Sequence, residues 1–244
     1  MSGLRHALAP YLGPMVRRHS AVVGSVVAVR TTLPQVVLTY DDGPTPGATE
    51  AVLRALAEAG ATATFFVLLS RVRRSPALLA ETLAAGHEIA LHGLDHQRLS
   101  GMSYREVRRR SLDGKKELED AAGVEVRWMR PPYGHQTLAS WHAVRSAGLE
   151  PVLWGRSSGD SQDYPAGDRL RFALDGISAG DILLGHDGHA DAGDGVDDGP
   201  EPVLDRYALA TGLLAGLRQN ALSGVSLDNA LSGGTPLRAA WFKR

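Results

Sequence analysis

Two histidines four residues apart, in His92-Gly93-Leu94-Asp95-His96, can aim both imidazoles at one ion from the same side of a turn. A pair of adjacent acids, Asp41 and Asp42, stands in Tyr40-Asp41-Asp42-Gly43-Pro44. Neighbouring side chains on a strand diverge, so one carboxylate can face an ion while the other faces a substrate. Two His and one carboxylate leave coordination positions open, as a catalytic metal site requires. Each pattern alone has a bland reading, a hydrogen-bonded loop for the histidines and a turn before Gly43-Pro44 for the aspartates. Three further polar clusters accompany them: Arg130-Pro131-Pro132-Tyr133-Gly134, Asp160, and Leu184-Gly185-His186-Asp187. The chain has no cysteine, which excludes thiolate ligands, disulfides and a cysteine nucleophile, so any metal must be held by His, Asp or Glu.

These clusters share a place in the hydrophobic pattern. Short apolar runs at 35–40 (QVVLTY), 63–68, 87–91, 125–129, 150–154 and 181–185 predict strands, with a weaker one at 224–227. Helical spacing of apolar residues predicts helices over 49–59, 76–85, 104–122, 138–147, 168–178 and 204–220. The clearest, 104–122, opens on a Ser103/Glu106 capping box, carries a Glu106–Arg110 pair and stops at Gly123. Strand–helix alternation without a linker predicts one α/β domain on a parallel sheet, doubly wound or closed into a barrel. Its expected span is 22–231, with an N-terminal extension at 1–21 and a C-terminal tail at 232–244. All five clusters fall at or shortly after the C-terminal ends of strands, where barrels and open sheets alike build their active sites. The Gly- and Asp-rich segment 186–201 lacks the spacing of an EF-hand and is expected to be a mobile loop. His87 is expected to serve structure at a strand start, whereas His135 and His189 lie near the clusters without an assigned role.

Bulk properties narrow the function classes. Lys+Arg 26 against Asp+Glu 27 gives no basic surplus for nucleic acid. No uncharged apolar run is long enough to span a bilayer, the run at 21–29 being too short. The N-terminal stretch lacks the continuous apolar segment of a secretory signal, which makes a cytoplasmic location the expectation. No GxxxxGK[ST] sequence supports a phosphate-handling alternative such as a metal-dependent phosphoesterase. Nothing in the pattern encodes an oligomeric state.

In this order, TYDDGP, GHEIALHGLDH, RPPYG, the Asp160 region and LGHD resemble the motifs of the polysaccharide deacetylases of carbohydrate esterase family 4, the NodB-homology domain. The resemblance implies a distorted, TIM-like (β/α) barrel of about seven parallel strands in a single domain. It implies Asp42, His92 and His96 as ligands of one divalent metal ion, zinc first, with cobalt, manganese, iron and nickel as alternatives. By the same resemblance Asp41 is the catalytic base, His186 the general acid, Arg130 the residue that orients the base and Asp160 the partner that tunes the acid. Tyr133 is implied to offer its backbone N–H to the oxyanion, with Pro132 and Leu184 beside it as substrate contacts. The implied activity is hydrolytic removal of an N-acyl group, chiefly acetyl, from an acylated amino sugar by metal-activated water.

Two departures colour that expectation. Gly93 stands where the family usually has Ser or Thr, so a hydroxyl that would brace the ligand loop is missing and looser geometry is expected. Ser161 stands where Trp usually follows the motif Asp, removing an aromatic wall. With aromatic content of only 6%, this points to a small or lipid-linked sugar or a sugar-bearing metabolite. Deacetylation of a polymer such as chitin, peptidoglycan or xylan is the main alternative, with deformylation and a catalytically impaired carbohydrate-binding homologue behind it. The retained Asp41 and His186 argue against the last, because binding alone needs neither acid nor base.

Overall fold

Alternation along the strands decides what faces the helices and what faces the barrel interior. The computed structural model describes residues 23–242. In chain order its elements are β1 (Ser25–Arg30), β2 (Gln35–Asp41), α1 (Ala48–Ala59), β3 (Thr64–Leu68), α2 (Leu69–Arg74), α3 (Pro76–Ala84), β4 (Glu88–Gly93) and α4 (Tyr104–Ala122). There follow β5 (Trp128–Met129), α5 (Leu138–Ser146), β6 (Glu150–Pro151), β7 (Arg156–Ser157), α6 (Ala166–Leu174) and β8 (Ile182–His186). The last are α7 (Arg206–Gln219), β9 (Ser223–Val225), α8 (Leu227–Ser232) and β10 (Thr235–Ala239). Val36, Leu38 and Tyr40 of β2 join Phe65, Val67, Ile89, Leu91 and Leu183 in a layer beneath Val52, Leu56, Val107, Leu118, Leu213 and Leu217 of the helices. The intervening Val37, Phe66, Ala90, Trp128 and Ile182 pack with Val26 and Val152 into a second cluster inside the curled sheet. A sheet buried on both faces is what parallel strands covered by crossover helices require.

The strands run in the order β6-β5-β4-β3-β2-β8-β7, and β9 pairs alongside the start of β2. Every pairing in this sheet is parallel. This is the distorted β/α barrel expected from the sequence, in one domain. The ends of the path do not pair with each other. Instead β1 lies in the opening, with Leu153 N–H donating to Val26 O at 2.8 Å and Val29 N–H to Gly180 O at 2.8 Å. β1 is held from outside by an antiparallel pairing with β10, Ser25 opposite Ala239 and Arg30 opposite Thr235.

Several boundaries differ from the sequence expectation for physical reasons. The runs at 125–129 and 150–154 shrink to two-residue strands because the chain changes partner there. Val152 donates to Met129 O, Leu153 to Val26 O and Gly155 to Ile182 O, so no single ladder continues. Leu227, expected in a strand, opens α8, because the Ser226 hydroxyl accepts from Asn229 N–H and caps a new helix. The stretch expected as a tail contains β10, whose sequence TPLRA has no apolar periodicity and whose burial rises from exposed Thr235 and Pro236 to buried Ala239. The expected extension at 1–21 lies outside the described residues. In α4 the Ser103 hydroxyl caps Glu106 N–H as expected, but Glu106 pairs with Arg109 and Arg110 with Asp95. No helix among the described residues is long and apolar enough to cross a membrane.

Candidate active site

Parallel register brings distant motifs together. Asp41, the last residue of β2, is the register partner of His186, the last residue of β8. Thr39 and Asp41 follow Val37 on the interior face, and His92 follows Ala90 on β4, so polar residues cap the apolar filling at the C-terminal mouth of the barrel. Arg130, which follows β5, reaches across this mouth. It is fully buried, with Nη1 donating to Asp41 Oδ1 at 2.7 Å and to Thr39 Oγ1 at 2.9 Å, and Nη2 to Leu153 O at 3.2 Å. Its guanidinium lies 4.1 Å from the Phe66 ring centroid. Burial pushes the Arg130 pKa down and the Asp41 charge works against it, so the two ions hold each other in a place where neither is solvated.

Asp42, His92 and His96 are all buried, and their candidate ligand atoms lie within 4.8 Å of one another. Asp42 Oδ1 is 3.3 Å from His92 Nε2 and 3.4 Å from His96 Nε2. Atoms bound about 2.1 Å from one ion at a tetrahedral angle are about 3.4 Å apart, so these two separations match those of zinc-type ligands. The other ring nitrogens are engaged: His92 Nδ1 meets Arg130 O at 2.8 Å and His96 Nδ1 meets Asp198 Oδ2 at 3.1 Å. A carbonyl and a carboxylate only accept, so each Nδ1 carries the hydrogen and each Nε2 presents its lone pair. Asp42 Oδ1 is buried with no hydrogen-bond partner, a costly arrangement that a cation would relieve. These residues fit a divalent ion.

On the other side of Asp41 stands a second pair. Asp160 Oδ1 is 2.8 Å from His186 Nδ1, and its Oδ2 accepts the His186 backbone N–H at 2.7 Å. One carboxylate therefore fixes both the ring and the backbone that carries it. Burial alone would lower the His186 pKa, but the charge and hydrogen bond of Asp160, with Asp42 and Asp41 further off, push it up to about 9. His186 keeps 14% of its side chain exposed while Asp160 keeps 3%, so the imidazole is the more accessible of the two.

The expected substrate contacts fall into place unevenly. Tyr133 sits in a short turn, Pro132–Gly134, in left-handed backbone conformation (φ 60°, ψ 10°). Its hydroxyl donates to Asp198 at 2.7 Å, its ring centroid is 4.3 Å from that of His96, and the Arg98 guanidinium lies 4.2 Å from its ring centroid. Pro132 is buried in the same turn, its carbonyl accepting His135 N–H at 3.1 Å. Leu184 is buried on β8 just before Gly185-His186, its carbonyl engaged by Ser158 N–H at 3.1 Å. Trp128 and Trp154 pack in the barrel interior, and His87 takes a structural bond from Ala63 N–H.

Three features correct or extend the sequence reading. The segment expected to be a mobile loop is pinned by fully buried Asp194, which accepts from Ser70 Oγ at 2.7 Å, Arg71 Nη2 at 2.6 Å and Arg74 Nη2 at 2.6 Å. Its polar composition hides this, because the anchor is one carboxylate rather than an apolar face. The ligand loop is not loosened by Gly93 either. His96 N–H donates to Asp194 O at 2.9 Å, Ser70 N–H to Leu94 O at 3.0 Å, and Asp95 pairs with Arg110. Gly93 is required by close approach, since a Cβ there would lie 2.5 Å from Asp95 O. Finally, Asp198 and Asp187 carried no assigned role. Asp187 is buried, accepts Thr49 Oγ1 at 2.6 Å and is pushed up to about 7, chiefly by burial and further by the Asp42 charge. Asp187 was visible inside LGHD, whereas Asp198 was one acid among several in its segment.

Comparison with known proteins agrees with this geometry. Residues 28–152 match the family model described as polysaccharide deacetylase. The chain is 35% identical over 155 residues to the peptidoglycan-N-acetylglucosamine deacetylase PgdA of Listeria monocytogenes, covering 64% of this chain and 33% of that protein. It thus spans about a third of the length of that relative. It is 38% identical over 162 residues to a chitooligosaccharide deacetylase of Sinorhizobium fredii, covering 65% of this chain and 74% of that one. The structure of the peptidoglycan deacetylase PdaC from Bacillus subtilis superposes with a TM-score of 0.70 at 25% identity, over 82% of this chain and 91% of that chain.

Proposed function

This chain belongs to the polysaccharide deacetylase family, and from that premise we propose that it hydrolyses the N-acetyl group of an acetylated amino sugar within an oligomeric or polymeric glycan. The observation that carries the proposal is the pairing of Asp41 with His186 across β2 and β8, a potential base and acid flanking the Asp42, His92 and His96 trio. A divalent ion held by that trio supplies Lewis acidity toward the acyl carbonyl oxygen and the attacking water. Asp41, held by the Arg130 guanidinium, accepts the proton of the water as its oxygen adds to the acyl carbon. The Tyr133 backbone N–H faces the negative charge that develops on the carbonyl oxygen. His186 donates its proton to the amine nitrogen as the C–N bond breaks, and acetate and a free amino sugar leave. Asp160 supports this step by keeping the imidazolium populated up to about pH 9.

The sequence alone favoured a small sugar. Two observations support a longer glycan: the relatives are named for peptidoglycan and chitooligosaccharides, and an open groove of about 390 Å³ adjoins the site. Thr45, Ala51, Leu204 and Arg206 line that groove, and Arg206 Nε donates to His186 O at 3.3 Å. A small sugar remains the second reading, favoured by Ser161. The nearest aromatic in that stretch, Tyr164, stacks edge-on with Phe172 at 5.2 Å. The test is acetate release from chitooligosaccharides, peptidoglycan fragments and monomeric N-acetyl sugars by the parent, Asp41→Asn and His92→Ala. The parent releases acetate fastest from the oligomers, and Asp41→Asn loses about 10²–10⁴-fold. Release that survives both substitutions, or none from any substrate by zinc-loaded protein, would refute the proposal.

A further inference from the structure

We infer that Asp198 is a positioning residue of the metal centre, fixing the ring of His96 and the side chain of Tyr133 with a single carboxylate. The inference rests on the metal-dependent reading above. The two histidines of the trio are held differently. His92 sits on β4 and gives its Nδ1–H to the main-chain carbonyl of Arg130, a partner that the barrel itself keeps in place. His96 lies beyond β4; its ring neighbours that of His92 at 5.2 Å and its Nε2 faces Asp42, but its Nδ1 bonds no main-chain atom of the barrel. Three further contacts come from loops: Asp194 O accepts its backbone N–H, Asp198 Oδ2 its Nδ1–H at 3.1 Å, and the Tyr133 ring centroid lies 4.3 Å from its own.

Asp198 also takes the Tyr133 hydroxyl, at 2.7 Å to Oδ1 and 2.9 Å to Oδ2. Ligand, aromatic neighbour and carboxylate thus form one triangle whose acidic corner is carried on the segment that Asp194 anchors to Arg71 and Arg74. A carboxylate behind an imidazole fixes the tautomer, limits ring rotation and raises the basicity of the opposite nitrogen, and its loss typically lowers metal affinity 10–100-fold. The side chain of Asp198 is 26% exposed, so replacing it empties no core and leaves the barrel intact.

The experiment measures zinc affinity by chelator competition and records the visible spectrum of the cobalt-substituted protein, for the parent, Asp198→Ala, Asp198→Asn and Tyr133→Phe. The expected result is a dissociation constant raised about 10–100-fold in Asp198→Ala, with an altered cobalt spectrum and thermal unfolding of the metal-free protein unchanged. Asp198→Asn falls between parent and Ala, since its amide oxygen still accepts a hydrogen bond without the charge. Tyr133→Phe keeps the parent affinity, because Asp198 remains on His96. Asp198→Ala that binds zinc as tightly as the parent with the same cobalt spectrum overturns this inference and leaves the metal centre standing. A parent that binds no zinc overturns both.

Discussion

Asp160→Asn removes a charge while keeping the shape, and it isolates what sets the acid of the site. The amide oxygen can still accept one N–H from His186, but the field that favours the imidazolium is gone. His186 rises from an ordinary 6.5 to about 9 although burial works against it, so the surroundings supply roughly 3 kcal/mol net at about 1.36 kcal/mol per pKa unit. Asp160 is the largest favourable contributor, with Asp42 and Asp41 behind it. The Asp160 carboxyl is itself lowered, burial notwithstanding, by the same contact, so the two shifts describe one interaction and are not added. A folded-state His pKa above the unfolded one stabilises the fold fully below about pH 6.5, and that contribution disappears as pH rises through about 9. On the acid side the lowered Asp160 contributes above its unfolded value of 3.8, and its share is lost as pH falls below that. In Asp160→Asn the largest favourable contributor is gone, and His186 is expected to titrate at or below about the ordinary 6.5. At pH 8 the protonated fraction is then under about 3%, and acetate release falls at least about thirtyfold. Two assays check this: histidine NMR titration of the metal-free protein, and the alkaline limb of the pH–rate profile. An unchanged limb, or a His186 resonance still titrating near pH 9 in the variant, would refute the electrostatic reasoning.

Two further perturbations test the scaffold. Gly93→Ser, which brings the chain nearer its family, is expected to destabilise by about 1–3 kcal/mol and to weaken zinc binding, because its Cβ meets Asp95 O at 2.5 Å between two ligands. Urea unfolding and zinc titration measure both effects, and a tighter or more stable variant would contradict the close-approach argument. Asp194→Ala leaves the Arg71 guanidinium buried without its main partner and is expected to cost about 3–5 kcal/mol, read from the urea midpoint at constant m-value. A loss under 1 kcal/mol would mean that the segment is held by something else.

The clustering of Asp42, His92 and His96, and of Asp41 with His186, was legible because strand ends are easy to place in a βα alternation. Barrel strands such as 35–40 announced themselves by being apolar on both faces. What stayed hidden depends on side chains meeting across the fold rather than on periodicity. β10 contains a proline and only one buried residue, and it is a strand through its antiparallel pairing with β1. Asp194 and Asp198 are indistinguishable in sequence from the acids around them, yet one is fully buried between arginines and the other touches a ligand histidine. The Gly93 departure read as a missing brace. Only the backbone path revealed that glycine is needed there and that Asp194, Ser70 and Arg110 do the bracing.

The placement of β1 between the two ends of the sheet path bears on how the molecule is made. β1 emerges among the first of the described elements, but β10, its antiparallel partner, is the last. The pairing of Asp41 with His186 likewise waits for β8. Such long-range pairings are closed late, because the entropy of a large loop must be overcome before any contact compensates it. A nascent chain that has produced both Asp41 and Asp42 and both ligand histidines still has no acid opposite its base and no acidic loop behind His96. A chain cut short before β8 would carry all three candidate ligands, Asp42, His92 and His96, but nothing opposite Asp41.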